Sequence, residues 1–344
     1  MTITDYGMTK AALPSLDFSV QLLEGLEMEL ILGLDQLRRP LNNPVVTLGN
    51  FDGVHLGHQS IFRKVKEEAQ KINGEAVVIT FEPHPLKVLS PQTCPPLLTP
   101  FRKKMMLIEK TGIDTVLCIE FTPNFSKISP FDFIKNILIE KVKARKIVVG
   151  YNYHFGRKHR GDVEILKQVC KLFNVDVNVM EPLRIGSTTV SSSKIRELIK
   201  DGEVEEASRL LGRNYPVIGK VVQGAKRGQT LGFPTANLEI SEDLYPKKGV
   251  YAVEVVWNQQ LLDGVANVGR NPTFHPAQAG AESPLSVEVY ILNFHQDLYG
   301  EEVQINFRRR IRDETRFNSP SELMEQIRKD VEWASEHVFN RQEG

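Results

Sequence analysis

The feature that most constrains the fold is a change of periodicity part-way along the chain. From residue 44, short apolar runs rich in β-branched residues alternate with amphipathic segments of helical period. After Gly212 the apolar runs continue, but helical segments no longer separate them. The first pattern predicts a doubly wound, mostly parallel α/β sheet, and the second predicts an antiparallel sheet or small β-barrel. At 344 residues the chain is long enough for two domains, each with its own core.

The individual elements follow from this pattern. Predicted strands of the first part cover residues 44–51, 76–81, 115–121, 146–151 and 175–180, and predicted helices cover 58–72, 100–111, 130–142, 162–173, 192–200 and 204–211. Predicted strands of the second part cover residues 217–222, 250–257, 264–268, 287–293 and 303–307, before a closing helix at 320–338. We therefore expect one domain at residues 28–212 and a second at 213–344. Residues 1–27 are interpreted as a leader or flexible arm, with Met28 as a candidate original start.

Charge and cysteine content narrow the class of protein. Lys+Arg and Asp+Glu both number 43, so the zero net charge argues against a polyanion-binding surface and a nucleic-acid partner. The three cysteines, Cys94, Cys118 and Cys170, have no CxxC spacing, which supports neither a disulfide framework nor a zinc site. The apolar runs are far shorter than the ~20 residues of a membrane helix. We expect a cytoplasmic protein without a membrane partner, of undetermined oligomeric state.

The densest chemical signal of the first half is the segment TLGNFDGVHLGHQSIF at residues 47–62. It lies where the first predicted strand turns into the first helix, and its glycines, Gly49, Gly53 and Gly57, permit a close approach of the backbone to a ligand. His55 and His58 lie at the mouth of the helix, where unpaired N–H groups attract phosphate. Imidazoles there can stabilise the charge that develops as pyrophosphate leaves. The alternative is an ordinary turn with two surface histidines.

The second half contains a glycine-rich stretch, GKVVQGAKRGQTLGFPTANLEI at residues 219–240, and no GxxxxGK[ST] loop. We interpret its glycine-rich part, which precedes Thr235 and Asn237, as a flap that can cover ATP phosphates, with four assigned contacts: Gly219, Lys220, Gly224 and Gly232. Thr235 and Asn237 offer neutral oxygens that can complete a Mg²⁺ shell. The alternative is a simple turn.

A candidate general base lies in the segment SVEVYILNF. Strand alternation places Val287 and Val289 on one face and Glu288 on the other. Phosphorylation of an alcohol needs a group that accepts its proton, and Glu288 can do so. The alternative is a solvent-facing glutamate.

These motifs resemble a known family. GNFDGVHLGH resembles the signature of the bacterial bifunctional riboflavin kinase/FAD synthetases, whose adenylylating half belongs to the HxGH nucleotidyltransferases. The resemblance continues in TFEPHP, GYNYHFG and VSSSKIR, at residues 80–85, 150–156 and 190–196. Each follows a predicted strand, so the predicted sheet brings them to one edge. In the second half it continues in PTAN, KKGVYAV, GVANVGRNPTF, SVEVYIL and RRRIRDETRF.

The resemblance implies two reactions. ATP would phosphorylate riboflavin to FMN in the second half and adenylylate FMN to FAD in the first, with Mg²⁺ arriving on ATP and flavins as substrates and products. The implied contacts to ATP and its phosphates are Gly49, Phe51, His55, Gly57, His58, Asn152, Ser191, Ser192 and Arg196. Arg196 is a permanent cation with a fork suited to phosphate, whereas the serines are equally well explained as a helix cap. Glu288 would be the kinase base, and Arg312 and Glu314 would border the flavin.

Two other functions compete with this one. Another HxGH enzyme, such as a different adenylyltransferase or a class I aminoacyl-tRNA synthetase, would share the first motif, but the chain lacks a basic surface balance. A flavin-binding sensor with inactive sites predicts that phosphate-binding residues are lost. The six residues that test this are all present: His55, His58, Arg196, Thr235, Asn237 and Glu288.

Overall fold

The first half of the protein forms a parallel sheet. The computed structural model describes residues 27–157, 160–223, 233–240, 244–270 and 285–340. Six strands pair in the order β1-β4-β3-β2-β5-β6, and every neighbouring pair is parallel. They are β1 (Glu29–Leu32), β2 (Val45–Leu48), β3 (Ala76–Glu82), β4 (Thr115–Glu120), β5 (Lys146–Gly150) and β6 (Asp176–Met180). The predicted doubly wound α/β fold is confirmed.

The strand order fixes where a ligand binds. From β2 the chain adds β3 and β4 on one side, and then crosses to add β5 and β6 on the other. In open α/β sheets, such a reversal leaves a crevice at the carboxyl ends of the two central strands. Here those strands are β2 and β5, which the first and third sequence motifs follow.

Seven helices of the described chain accompany the sheet. They are α1 (Leu56–Lys71), α2 (Pro85–Leu89), α3 (Phe101–Glu109), α4 (Pro130–Asp132, continued by a π-helix at Phe133–Lys141), α5 (Val163–Leu172), α6 (Ser192–Asp201) and α7 (Val204–Leu211). A short hairpin, β7 (Arg184–Ile185) and β8 (Thr188–Thr189), precedes α6. The sequence missed β1 and α2 because four and five residues are too few to establish a period.

The second half is a closed antiparallel barrel in the order β10-β13-β12-β11-β14-β9. Its strands are β9 (Tyr215–Val222), β10 (Thr235–Ile240), β11 (Gly249–Trp257), β12 (Gln260–Arg270), β13 (Leu285–Ile291) and β14 (Glu302–Arg312). A closing helix, α8 (Pro320–Ala334), runs into a π-helix at Ser335–Phe339 and packs outside the barrel on Val250, Ala252 and Val265. The predicted barrel with a C-terminal helix is confirmed.

The structure adds one strand to the barrel. Residues from Thr235 to Ile240, which follow the predicted flap and belong to none of the predicted strands, form the barrel strand β10. The physical reason is alternation: Ala236 and Leu238 pack against the apolar core, and the residues between them face outward.

The two halves share a core. The apolar sides of α6 and α7, including Ile195, Ile199 and Leu211, belong to the same buried cluster as Tyr215 and Phe307 of the barrel. The chain passes from one half to the other near Gly212, but the packing continues across that point. No helix of the described residues is both long and apolar enough to span a bilayer.

Candidate active sites

A cavity of about 950 Å³ opens at the carboxyl edge of the parallel sheet. It lies at the ends of β2, β3 and β5 and at the start of α6, so the four motifs meet at one edge as the sequence predicted. Six of the predicted residues line it: Gly49, Phe51, His58, Asn152, Ser192 and Arg196. Three others, His55, Gly57 and Ser191, lie beside these residues in the chain without lining the cavity.

His55 and His58 form a stacked pair. The ring centroids are 3.5 Å apart with an angle of 18° between the planes. His55, which is 5% exposed, caps α1, and its Nδ1 accepts a hydrogen bond from the backbone N–H of His58 at 3.3 Å. An accepting Nδ1 carries no proton, so the proton of the neutral ring lies on Nε2. The N-cap thus fixes the tautomer of His55.

Burial keeps this pair uncharged. Burial is the main cause that lowers the pKa of His55 to about 4, and it lowers the pKa of His58 well below the ordinary value. Each histidine is therefore neutral at neutral pH and contributes an N–H donor in place of a positive charge. His58 is the one that reaches the cavity, and its Nδ1 is buried without a hydrogen-bond partner among the described residues.

Two glycines of the motif make room for aromatic rings. A Cβ on Gly57 would lie 3.2 Å from the His55 ring, and a Cβ on Gly49 would lie 3.0 Å from the Phe51 ring. Phe51 in turn meets the edge of His58, with ring centroids 5.2 Å apart. The glycines therefore allow a closely packed aromatic layer behind the cavity wall.

A buried ion pair connects the first and fourth motifs and the segment from Pro96 to Thr99. Asp52 accepts hydrogen bonds from the backbone N–H groups of Leu98 and Thr99 at 3.0 Å, and from Arg196 Nη2 at 2.6 Å. Arg196 also donates from Nε to Pro96 O at 2.7 Å. The guanidinium predicted as a free cation for phosphate is thus largely neutralised and fixed in orientation at the cavity wall. Sequence analysis missed Asp52 as its partner, although Asp52 lies inside the first motif.

The start of α6 faces the cavity. Ser191 is the N-cap, and its Oγ accepts from the backbone N–H of Lys194 at 3.2 Å, which is the capping alternative that the sequence left open. Ser192 Oγ donates to Asp52 O at 2.8 Å, and both Ser192 and Ser193 line the cavity. The first turn of a helix carries a partial positive charge, which favours an anion at this end of the cavity.

A buried lysine lies behind the loop that follows β2. Lys104 Nζ donates to Thr80 Oγ1 at 3.3 Å and to Asn50 O at 3.4 Å, and lies 3.9 Å from Glu82 Oε2. Burial lowers the pKa of Lys104 and raises the pKa of Glu82. Sequence analysis missed this residue, because a lysine on a helix ordinarily faces solvent.

The opposite side of the cavity is an aromatic wall. Its members all line the cavity: Phe81, Phe121, Phe125, Phe133, Tyr153 and Phe155. Successive ring centroids lie 5.4 to 6.3 Å apart, from Phe81–Phe121 at 5.8 Å to Tyr153–Phe155 at 5.4 Å. Sequence analysis missed the wall as a site, although TFEPHP and GYNYHFG supply three of its rings. His84, which belongs to the motif TFEPHP, also lines the cavity and caps α2 through Nδ1.

The predicted kinase residues lie on the outer face of the barrel. Strand register places Glu288 opposite Asn237 on one side and Asn267 on the other. Val287 and Val289 face the barrel interior, so the predicted alternation is confirmed. Asn237 is only 8% exposed, and Glu288 is half-buried. Thr235 lies two residues before Asn237 on the same face, opposite Tyr290.

The two residues predicted to border the flavin have different surroundings. Arg312 donates to Asp330 of α8 from Nε at 2.9 Å and from Nη2 at 2.7 Å, and Asp330 is 3% exposed. Arg312 therefore anchors α8 to β14. Glu314 is exposed, and its Oε1 would lie 2.1 Å from a Cβ on Gly269, which places this carboxylate close to Asn267.

The predicted flap is described only at its first residues. Gly219 lies inside β9, where a Cβ would lie 3.0 Å from Glu239 O, so packing within the barrel explains this glycine. Lys220 is exposed and pairs in register with Glu239 and Glu302. Gly224 and Gly232 lie outside the described residues. Within the described ranges, no group of three or more His, Cys, Asp or Glu could hold a metal ion.

Comparison with known proteins decides the family. Residues 38–194 match the family model described as FAD synthetase, and residues 211–338 match the one described as riboflavin kinase. A bifunctional riboflavin kinase/FMN adenylyltransferase of Listeria monocytogenes is 40% identical over 290 residues, which are 84% of this chain and 90% of that protein. Its counterpart in Escherichia coli K12 is 36% identical over 305 residues, 88% of this chain and 96% of that one. This chain belongs to the bifunctional riboflavin kinase/FMN adenylyltransferase family.

A solved structure agrees in fold. A chain from Streptococcus pneumoniae, described as a macrolide-efflux protein, superposes with a TM-score of 0.80 at 33% identity and covers 89% of this chain and 98% of its own length. The likeness therefore extends over both the parallel sheet and the barrel.

Family membership confirms the activities and their order along the chain. The FAD synthetase match falls on the sheet and the riboflavin kinase match falls on the barrel. Membership of the bifunctional riboflavin kinase/FMN adenylyltransferase family therefore decides against the two alternative functions, an aminoacyl-tRNA synthetase and a flavin-binding sensor. Flavins are its substrates and products.

Proposed function

We propose that the sheet-edge cavity is the site of FMN adenylylation and that the outer face of the barrel around Glu288 is the site of riboflavin phosphorylation. The observation that supports this most strongly is the division of the cavity into two chemistries. One side presents neutral N–H donors and a helix N-terminus, and the other presents the aromatic wall. A nucleotide triphosphate and a flat flavin ring need these two environments side by side.

In the adenylylation site the FMN phosphate oxygen attacks the α-phosphorus of ATP, and the bond from that phosphorus to the β-phosphate oxygen breaks. His58 donates to the phosphoryl oxygens as charge builds up on the departing pyrophosphate, with His55 stacked behind it. Arg196, Ser192 and the first turn of α6 hold the phosphates from the far side. No covalent enzyme intermediate is needed.

The aromatic wall holds the isoalloxazine ring of FMN. Offset and edge-to-face contacts between flat rings favour such a ligand beyond the burial of its apolar area. Asn152 is exposed and lines the cavity, where it can contact the reacting groups of the two nucleotides.

In the kinase site Glu288 accepts the proton of the terminal ribityl hydroxyl as the hydroxyl oxygen attacks the γ-phosphorus of ATP, and the bond from that phosphorus to the β-phosphate oxygen breaks to release ADP. Thr235 and Asn237 are neutral oxygen donors next to a carboxylate, a set that suits a hard cation such as Mg²⁺. Bound with ATP, Mg²⁺ would offset the negative charge of the phosphates. The guanidinium of Arg312 is already paired with Asp330, so Arg312 contributes by anchoring α8 to β14.

Metal dependence follows from this donor set. Mg²⁺ should arrive with ATP, since two neutral ligands and one base do not form a tight cage. EDTA should therefore abolish both reactions while leaving the thermal midpoint of the nucleotide-free protein unchanged. A large fall in that midpoint would show a structural metal and contradict the proposal.

The limits of the two catalytic units are part of the proposal. We assign adenylylation to residues 28–212 and phosphorylation to residues 213–344, with α6 and α7 contributing to the interface between them.

The described cysteines are all free, and two of them are buried, which suits the reducing cytoplasm. The zero net charge supports ATP, riboflavin and FMN as the partners, in place of nucleic acid.

A time course tests the overall assignment. The purified chain, incubated with riboflavin and Mg-ATP, should form FMN first and FAD later, as separated by chromatography. FMN supplied directly should give FAD without the kinase step. Formation of FMN alone, with supplied FMN left unconverted, would remove the adenylylation site from the proposal.

A further inference from the structure

The loop that carries the histidine motif has a strained backbone. Phe51, Gly53 and Val54 have φ values of +51°, +88° and +39°. Glycine adopts this left-handed region freely, but a β-branched valine does so only when its surroundings force it. Val54 directly precedes His55, so the groups that hold the backbone of Val54 also orient the histidine pair.

The holding groups come from helix α1 and from the segment that leads into the barrel. Arg213 Nη2 donates to Gly53 O at 2.7 Å, and its Nη1 lies 3.3 Å from Val54 O. Gln59 Nε2 donates to Val54 O at 2.9 Å and to Leu211 O at 3.2 Å. Arg213 follows 160 residues after Gly53 and belongs to none of the sequence motifs.

We infer that Arg213 is a positioning residue for adenylyl transfer, because its guanidinium fork fixes the Gly53 and Val54 carbonyls and so positions the histidine pair, of which His58 faces the cavity. The inference rests on the proposed adenylylation site. Arg213 does not line the cavity and therefore acts through the loop. The group that orients the first active site thus comes from the segment that begins the second unit.

The fork geometry explains the choice of residue. Arginine presents donors at a fixed separation, so that one side chain can bind two successive carbonyls, whereas lysine offers a single point charge. Burial is the main cause that lowers the pKa of Arg213 to about 10, which leaves it charged at neutral pH.

The positive charge of Arg213 provides a second, independent test of the inference through the pKa of His55. The uncharged His58 ring stacks on His55, and the charged groups that act on His55 are Asp52, which raises its pKa, and Arg213 and Arg196, which lower it, all after the larger effect of burial. Loss of the Arg213 charge should therefore raise the pKa of His55. A residue that only fills space would leave that pKa unchanged.

The test compares three variants of the full-length chain. Arg213→Met removes the charge and the fork but keeps an unbranched apolar stem, and Arg213→Lys keeps the charge but loses the fork. Arg209→Met is the matched control, because Arg209 is exposed on α7 and pairs only with Glu206 at 2.8 Å among the described residues. Both reactions are measured on each sample, with FMN and with riboflavin supplied separately.

Arg213→Met should lower kcat for FAD formation roughly tenfold or more, since small displacements of reacting groups are costly. The KM for FMN should change little, and the riboflavin kinase rate should stay within about twofold of wild type, because the kinase residues lie elsewhere. The acid limb of the kcat profile should move to higher pH in Arg213→Met and stay in place in Arg213→Lys, which should still lose rate. Arg209→Met should change neither reaction.

Two results overturn the inference. One is a wild-type kcat for FAD formation in Arg213→Met, and the other is a parallel loss of both reactions in folded Arg213→Lys, which would mean a purely structural role. If Arg213→Met fails to fold, the rates of Arg213→Lys decide. A His58→Ala variant that still makes FAD would instead refute the proposed site itself, whatever Arg213 does.

Discussion

The two proposed active sites of this protein are assembled by different means. The proposed adenylylation site gathers side chains from loops at the carboxyl ends of strands, and buried hydrogen bonds hold those loops, such as Asp52 to Arg196 across 144 residues of chain. The proposed kinase residues Asn237 and Glu288 are neighbours because the barrel strands β10 and β13 pair in register. A site built from loops depends on specific hydrogen bonds that hold those loops, whereas the geometry of a site built on strands follows from the pairing of the strands.

This difference extends to electrostatics. The histidine pair is buried and uncharged, so the proposed adenylylation site offers oriented donors, which act strongly where water is excluded. Thr235, Asn237 and Glu288 form a partly exposed polar row on the barrel, and the proposed role of its carboxylate is to accept a proton. The rate of the first reaction should therefore be sensitive to displacement of the histidine pair and to acid pH. The rate of the second should be sensitive to the loss of a single carboxylate.

The largest expected effect tests the strand-built site. Glu288→Gln keeps the shape of the side chain but removes the proton acceptor, so riboflavin phosphorylation should fall by roughly 10² to 10⁴-fold. Supplied FMN should still be converted to FAD at the wild-type rate. Glu239→Gln, on the exposed face of the adjacent strand β10, is the matched control. Loss of adenylylation with phosphorylation intact would reverse the assignment.

The next effect tests the loop-built site. His58→Ala removes one preorganised donor and should slow FAD formation by roughly 10²-fold or more, so that riboflavin accumulates as FMN. The kinase rate should be unaffected. His295→Ala, a change at an exposed histidine of the barrel half, should leave both rates unchanged. Undiminished FAD synthesis in His58→Ala would remove the histidine pair from the mechanism.

Acid should destabilise the loop-built half through His55. Its pKa is about 4 when folded against 6.5 when unfolded, so the unfolded chain binds the extra proton between these values. The stabilisation is complete above pH 6.5 and is lost as the pH falls towards 4, which amounts to about 2 kcal/mol between pH 7 and pH 5. His55→Asn, which caps a helix without titrating, should reduce this loss.

Urea titrations at both pH values measure this effect. Far-UV circular dichroism follows the α/β half, and the two tryptophans, Trp257 and Trp333, report the barrel half. An equal loss of stability in wild type and His55→Asn would show that His55 is not the titrating group.

The smallest effect concerns the aromatic wall. Phe125→Ala should raise the KM for FMN in adenylylation by up to about tenfold, since an aromatic contact contributes about 0.5 to 1.5 kcal/mol beyond area burial. The KM for riboflavin in the kinase step should not change. Phe131→Ala, at an exposed ring on α4 that does not line the cavity, is the control. Equal KM values for FMN in both variants would place the flavin elsewhere.

Sequence patterns predicted the helices and strands more accurately than the contacts between them. Strands β3 and β5 and helix α7 lie within a residue or so of their expected limits, because the periods of strands and helices are local properties. Strand β10 was not predicted, since its short alternating run directly follows a glycine-rich stretch, and only pairing with β9 and β13 defines it as a strand.

The sequence by itself determined the fold class of each half, the family, and the edge of the sheet where the motifs meet, since strand ends can be located from period and turn residues alone. Only the tertiary structure decided the partners: Asp52 for Arg196, Asp330 for Arg312, and the Gly53 carbonyl for Arg213. The aromatic wall likewise exists only where separate loops converge. The physical reason is that a period records which face of an element is buried, whereas a contact across many residues depends on how the elements pack.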